Sequence, residues 1–165
     1  MAEEKNNQKI ASRGVPSSLS LYFPPYNSEE IRSFQDDTGA LTRNLWSLSE
    51  IVNFVFSKKY QPKYYEVALG FLTHLSLKLE MHGDEISEFI KSNGISKATF
   101  YNRVLPRLRR VGMIKIERHT IVSIESKRKF RPMKITLSKT FGNYLLKIGD
   151  SWLAEIDDAR TKQRK

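Results

Sequence analysis

The chain has 165 residues, with 28 Lys and Arg against 18 Asp and Glu and no cysteine. That length suits one domain with a proper core plus tails, and the missing cysteines exclude a disulfide frame, cysteine-ligated zinc and a thiol nucleophile. No run approaches the ~18 apolar residues of a membrane span, and the polar start at Glu3, Glu4 and Lys5 carries no apolar leader core, so a soluble, cytoplasmic protein is predicted.

Residues 1–27, small and polar with Gly14 and Pro16, read as a mostly disordered tail. Inside it Leu19, Leu21, Tyr22 and Phe23 stand ahead of Pro24 and Pro25, an apolar patch too short to fold alone. It either packs on the domain or docks another protein. One domain is predicted from residue 28 to 165, opening with N-terminal helices over 28–60. Ser28 with Glu29 and Glu30 suits a short helix reaching Asp37, and Gly39 is a natural stop. Ser47 and Glu50 have capping-box spacing, and Leu48, Ile51, Val52, Val55 and Phe56 build one apolar face, which predicts a helix from Leu48 to Lys58.

Pro62 fits the first turn of the next helix, a first core helix over 62–81. It places Tyr65, Ala68, Leu69, Leu72, Leu75, Leu77 and Leu79 mostly inside. A helix-turn-helix over 84–111 follows. Ile86, Phe89 and Ile90 share one face of a short helix from Asp84 to Ser92, which Asn93 and Gly94 end because they tolerate left-handed backbone. Ile95 is positioned to plug the angle, and Ser96 to cap the second helix at its free backbone N–H groups. That helix starts at Lys97, keeps Phe100, Val104, Leu108 and Val111 on one stripe, and stops at Gly112. Pro106 removes the bond to the Asn102 carbonyl at about 3 kcal/mol, so a kink is predicted there.

Past Gly112 the period changes to two. Ile114, Ile116, Thr120, Val122 and Ile124 fall on one parity and Lys115, Glu117 and His119 on the other. Met133, Ile135 and Leu137 alternate again, so residues 113–137 read as a hairpin. Pairing Ile124 with Met133, Val122 with Ile135 and Thr120 with Leu137 keeps the apolar side chains on one face and leaves a cationic loop from Lys127 to Phe130. A last helix over 138–160 starts at Ser138 or Thr140. The spacing of Phe141, Leu145, Ile148 and Trp152 resembles a coiled-coil seam and suits a homodimer. The alternative is a stripe that closes its own domain, with Gly149 and Asp150 splitting the helix in two.

Charge is unevenly placed. Residues 83–137 carry thirteen Lys and Arg against five Asp and Glu, while residues 1–82 carry nine of each sign. Eight of the ten excess positive charges therefore lie in the helix-turn-helix and hairpin, as a polyanion-binding face requires.

The run Gly94, Ile95, Ser96, Lys97, Thr99, Phe100, Tyr101, Val104 and Leu108, the stretch Val111-Gly112-Met113-Ile114 and the basic hairpin resemble the winged helix-turn-helix superfamily of DNA-binding proteins. In its flanking helices the chain is similar to small regulators of the MarR-like or PadR-like kind. The fold class expected is mainly α with a small β-hairpin, a winged helix-turn-helix with additional N-terminal helices and a C-terminal helix.

In such a helix the N-terminal turns meet base edges, which selects Lys97, Ala98, Tyr101 and Asn102. Asn pairs adenine in a bidentate way, Lys donates to guanine and Ala98 meets a thymine methyl; Tyr101 also borders the Phe100 stripe and suits partial core packing. Ser96, Thr99 and Arg103 suit phosphate oxygens. In the hairpin Lys127, Arg128, Lys129 and Arg131 suit the DNA backbone or an adjacent minor groove. Arg107, Arg109 and Arg110 fall to phosphate or solvent.

No catalytic chemistry emerges. His74, His82 and His119 are scattered without a zinc motif, and Gly39, Gly70, Gly83 and Gly94 are too isolated to cradle a phosphate. The expectation is a protein without cofactor or metal that binds double-stranded DNA as a transcriptional regulator. The rivals are a DNA-binding protein of replication or plasmid partition, and a winged-helix module that holds protein or RNA.

Overall fold

The structure, a computed structural model, describes residues 21–23, 46–118, 120–122 and 129–163. The expected helix from Ser28 to Asp37, the stop at Gly39, and His119, Lys127 and Arg128 lie outside the described residues. The chain is mainly helical with a small antiparallel sheet. It divides into two compact units, Met1–Tyr65 and Glu66–Lys165, where the sequence suggested one domain from residue 28.

In the first unit, helix α1 (Leu48–Val55) opens on the predicted capping box. The Ser47 N–H donates to Glu50 Oε2 at 2.7 Å, and the Glu50 N–H donates to Ser47 Oγ at 3.4 Å. Val52 and Val55 are buried. The helix stops at Val55 and not at Lys58 because Phe56 turns extended and Asn53 Oδ1 accepts the Lys58 N–H at 2.8 Å, giving that backbone donor a partner outside a helix. The short apolar patch packs on its own chain. The Tyr22 N–H donates to the Phe54 carbonyl at 2.7 Å, the Phe23 ring meets Phe54 edge-on at 5.5 Å, and Trp46 stacks on Phe54 at 4.5 Å.

Helix α2 (Pro62–Lys78) starts at Pro62, as its fixed φ and absent N–H favour. The second unit begins within it, and there Ala68, Phe71, Leu72 and Leu75 are buried. The Phe71 ring sits edge-on to Phe100 at 4.9 Å and to Phe89 at 5.7 Å, so three aromatic rings from three elements form the centre of this unit.

The expected end of that helix at residue 81 is wrong. Leu79 adopts φ 67°, and its N–H donates to the Leu75 carbonyl at 2.8 Å, which closes the helix in a left-handed turn. Leu77 and Leu79, expected inside, are 81% and 70% exposed. Strand β1 (Glu80–His82) follows with only Met81 turned inward, a period-two pattern hidden in a leucine-rich run.

Helix α3 (Gly83–Ser92) buries Ile86, Phe89 and Ile90 as expected. Glu85 accepts the His82 N–H at 2.9 Å and pairs with Lys78 at 2.7 Å. The following helical stretch is α4 (Lys97–Thr99), a π-helical segment Phe100–Val104, and α5 (Leu105–Val111).

Strands β2 (Ile114–Arg118) and β5 (Met133–Leu137) pair antiparallel, and β1 joins the other side of β5, giving the order β1-β5-β2. Met81 and Ile116 both stand opposite Ile135, so one apolar row crosses all three strands. The register differs from the expected one by six residues: Ile135 faces Ile116 and not Val122, and Leu137 faces Ile114 and not Thr120. A shift by an even number leaves every side chain on its predicted face, so alternation alone cannot distinguish the two registers. The same register continues in β3 (Ile121–Val122) with β4 (Lys129–Phe130), where Val122 faces Lys129. Lys129 and Phe130 are therefore strand and not the loop tip that the shorter register required.

Helix α6 (Thr140–Gln163) is one continuous helix of 24 residues, so Gly149 and Asp150 do not split it. None of its residues is buried. The alternative that its stripe closes the domain core is thereby overturned.

Candidate nucleic-acid interface

The corner between α3 and α4 is fixed by backbone chemistry. Gly94 takes φ 61°, its N–H donates to the Lys91 carbonyl at 3.2 Å, and the Ile95 N–H donates to the Ile90 carbonyl at 2.9 Å. These two bonds form a Schellman motif, which satisfies carbonyls that a helix end otherwise leaves free. The Asn93 side-chain amide donates to the Phe89 carbonyl at 2.8 Å, which also accepts the Asn93 backbone N–H at 3.2 Å. Ser96 makes no side-chain cap bond, contrary to expectation; its carbonyl accepts the Phe100 N–H at 3.0 Å, and its exposed hydroxyl is not engaged as a cap.

Ahead of Pro106, where the sequence predicts a kink, the chain forms the π-helical segment. The Leu105 N–H donates five residues back to the Phe100 carbonyl, and Pro106 follows at the start of α5. The wider turn carries one additional residue, so Val104 and Leu105 both face inward, 0% and 5% exposed. The N-terminal turns keep their outward face. Ser96, Lys97, Ala98, Asn102 and Arg103 are exposed, and Thr99 and Tyr101 are half-buried. The Tyr101 ring lies edge-on to Phe100 at 5.2 Å, which ties it to the core while leaving one side open.

Seven of the eleven residues selected from sequence thus lie together on one helical stretch. The other four were selected from the stretch 127–131. Lys127 and Arg128 are outside the described residues, Lys129 stands in β4, and Arg131 is exposed in the short link before β5. Arg107 departs from expectation: it is buried, 5% exposed, and does not face outward, whereas Arg109 and Arg110 are exposed at the end of α5.

Arg118 is a cation that the sequence did not single out. It ends β2 opposite Met133, with its guanidinium 3.9 Å from Met133 Sδ, on the same stretch of ribbon as Arg131. Its signal was hidden by the wrong register, which left residues 114–118 without a partner strand.

The outer face of the sheet is saturated with internal pairs. Glu80 is paired with Lys134, which holds the Glu80 carboxyl below its ordinary range and raises the Lys134 ammonium. Lys115 pairs with Glu117 at 2.6 Å. Among the described residues neither Lys97 nor Arg103 is paired with a carboxylate. In the shallow groove of about 470 Å³ between α2 and α3, the Lys78–Glu85 pair lines the wall and the His74 ring lies 5.6 Å from Phe89. Among the described residues no cluster of His, Asp or Glu is arranged to hold a metal ion, and no helix is long and apolar enough to cross a membrane.

Compared with known protein families, curated proteins and solved structures, the chain finds no match.

Proposed function

We propose that the chain is a winged helix-turn-helix protein that binds double-stranded DNA and acts as a transcriptional regulator. The observation that carries this is the outward run from Ser96 to Arg103, where Lys97, Asn102 and Arg103 project from the N-terminal turns of a helix whose opposite side is anchored by Phe100, Val104 and Leu108. The element order supports the same reading: helix α2, strand β1, helix α3, the helical stretch from α4 to α5, then strands β2 to β5, of which β2 and β5 form one three-stranded sheet with β1. So do the cationic positions Arg118, Lys129 and Arg131 on the β2 to β5 stretch. Lys97 and Asn102 contact base edges, while Ser96, Thr99, Arg103 and the ribbon cations hold phosphates. A homodimer through the last helix belongs to the same proposal, supported by the exposed apolar stripe on α6.

The test is selection of bound fragments from a duplex DNA library, followed by a salt titration on the fragment recovered. A preferred site is expected, with log affinity falling linearly with log salt concentration. Equal or better binding to single strands or RNA, or no preference among duplexes, overturns the regulator reading. Recovery of an origin or partition repeat moves the same contacts to replication or partition.

A further inference from the structure

The loop between α1 and α2 lies wholly in the first unit, away from every residue assigned to the duplex contact. Between Glu50 and Glu66 the chain carries three lysines, five aromatic residues and no carboxylate. Hydrogen bonds set the shape of the loop. Asn53 Oδ1 accepts the Lys58 N–H at 2.8 Å, Ser57 Oγ accepts the Tyr60 N–H at 3.4 Å, and the Ser57 carbonyl accepts the Gln61 N–H at 2.7 Å, with Ser57 itself buried. Pro62 then fixes the entry to α2. A turn held in this way loses little freedom when a ligand settles on it.

The loop presents an open ring among cations. Tyr60 is 61% exposed and lies against Tyr22 at 6.1 Å, tilted by 31°, so the ring is supported while most of its surface stays open. Lys58, Lys59 and Lys63 are exposed, and among the described residues none of them is paired with a carboxylate. Glu50, the nearest carboxylate before the loop in sequence, is engaged by Ser47. The Lys59 ammonium lies 5.5 Å from the centroid of Tyr60, and the Lys58 ammonium 6.0 Å from that of Tyr65. An exposed ammonium on a ring is a weaker contact than a stacked base, so a base displaces Lys59 toward the phosphate that accompanies it.

The combination selects among polyanions. A duplex hides its base faces in its own stack and offers Tyr60 nothing to lie on. A membrane surface takes aliphatic or indole side chains into its acyl boundary, and the exposed residues Lys58, Lys59, Tyr60, Pro62 and Lys63 include neither. An acidic peptide uses the lysines and leaves the ring idle. An unpaired nucleic-acid strand offers a flat base and a phosphate in alternation, and so engages both.

We propose that the α1–α2 loop is a binding site for an unpaired nucleic-acid strand, with one base stacked on Tyr60 and the flanking phosphates held by Lys58, Lys59 and Lys63. The site uses no residue of the duplex contact. With a single open ring and three cations, it is expected to hold a strand more weakly than the preferred duplex is held.

The test titrates the full chain with labelled strands of about twelve thymidines, of uridines, and of abasic sugar-phosphate of equal length. The thymidine or the uridine strand is expected to bind about tenfold tighter than the abasic one, and the tighter of the two names DNA or RNA as the ligand. Equal binding of the abasic strand overturns the proposal. Displacement of the strand by polyglutamate or by phosphatidylserine vesicles at equal charge overturns it in favour of a peptide or a lipid surface. Tyr60→Leu, with its helical circular dichroism retained, is expected to lose the advantage of bases over abasic sugar and to keep its affinity for the selected duplex; an unchanged advantage overturns the stacking. A Lys58→Gln, Lys59→Gln, Lys63→Gln chain is expected to lower the single-strand salt slope by about 2, since each phosphate contact contributes about 0.7. An unchanged slope removes the lysines from the site. Irradiation of the parent chain with a strand carrying 5-iodouracil locates the contact without any substitution. A cross-link at Tyr60 is expected, and cross-links confined to Tyr101 place the strand on the stretch from α4 to α5 and overturn the site. None of these readouts depends on duplex binding, so the two proposals fail separately.

Discussion

Thr140 closes directly over Gly112: a Cβ built on Gly112 would come within 2.9 Å of the Thr140 Cβ. Gly112 has φ 83°, and its carbonyl accepts the Phe141 N–H at 3.0 Å. The end of α5 and the start of α6 are thus held in one corner, and only a residue without a side chain fits it. Gly112→Ala combines a left-handed backbone with a steric overlap and is expected to destabilise the chain by about 2 kcal/mol. Gly142→Ala, where a Cβ meets nothing within 4 Å, is the control and is expected to stabilise by up to about 1 kcal/mol. Urea unfolding of both variants measures the difference. Equal stability would mean that Thr140 moves away freely.

Leu79 shows the opposite mismatch. It is the one non-glycine with positive φ among the described residues, at 67°, and it is 70% exposed, so its side chain contributes little burial against the cost of its backbone. Leu79→Gly is expected to raise stability by roughly 1 kcal/mol, since the left-handed conformation costs a non-glycine about 1–2 kcal/mol and glycine's unfolded-state entropy returns part of that. Thermal melting of the variant decides. A lower midpoint would show that Leu79 packs on something in solution.

These two positions mark how far the sequence could be read. Gly94 and Gly112 were visible as stops because helical stripes run up to each and end there. Leu79 was not, because a leucine at a left-handed turn looks like one more apolar residue of the helix before it. Strand β1 was hidden for the same reason, as three residues cannot display alternation against a helical background. The hairpin's faces were legible from parity, but its register was not, because pairing Ile135 with Ile116 or with Val122 buries the same kinds of side chain. Pro106 announced a disturbance without its form, since a kink and a π-helical turn both accommodate the missing N–H. The outward residues from Ser96 to Arg103 were legible because the inward stripe of Phe100, Val104 and Leu108 fixes which side remains outside. Arg107 was not, since an arginine gives no sequence signal of burial.

Acid should loosen the fold through three carboxylates. Glu50 is held below the ordinary carboxylate range first by the Ser47 hydroxyl, Glu80 by Lys134, and Glu85 first by Lys78 and then by the His82 N–H. A group with a lowered folded pKa contributes its stability above the unfolded value and loses it as pH falls through the folded one. The melting temperature is therefore expected to fall on the acid side of the ordinary carboxylate range. Lys134, raised by Glu80, behaves in the other direction and loses its contribution only as pH climbs past the ordinary lysine range. Melts across pH on the parent and on a Glu50→Gln, Glu80→Gln, Glu85→Gln chain compare the slopes. If the variant keeps the whole acid-side fall, these pairs are not its source.

Asn102 and Arg103 are adjacent and both exposed, and they take different parts in the proposed DNA contact. An amide that reads adenine matters only where that adenine stands, so Asn102→Ala is expected to cost about 1–3 kcal/mol on the preferred site and to relax the choice of one base pair. Its affinity for unrelated duplexes should hold, because no phosphate charge has been removed. Arg103→Ala should lower affinity for every duplex alike and reduce the salt slope by about 1, the mark of one lost phosphate contact. Anisotropy titrations on the preferred and a scrambled duplex, at several salt concentrations, separate the two patterns. A uniform loss from Asn102→Ala would place that residue on the backbone, and base-specific loss from Arg103→Ala would exchange the roles. No change from either variant would remove this helix from the DNA contact.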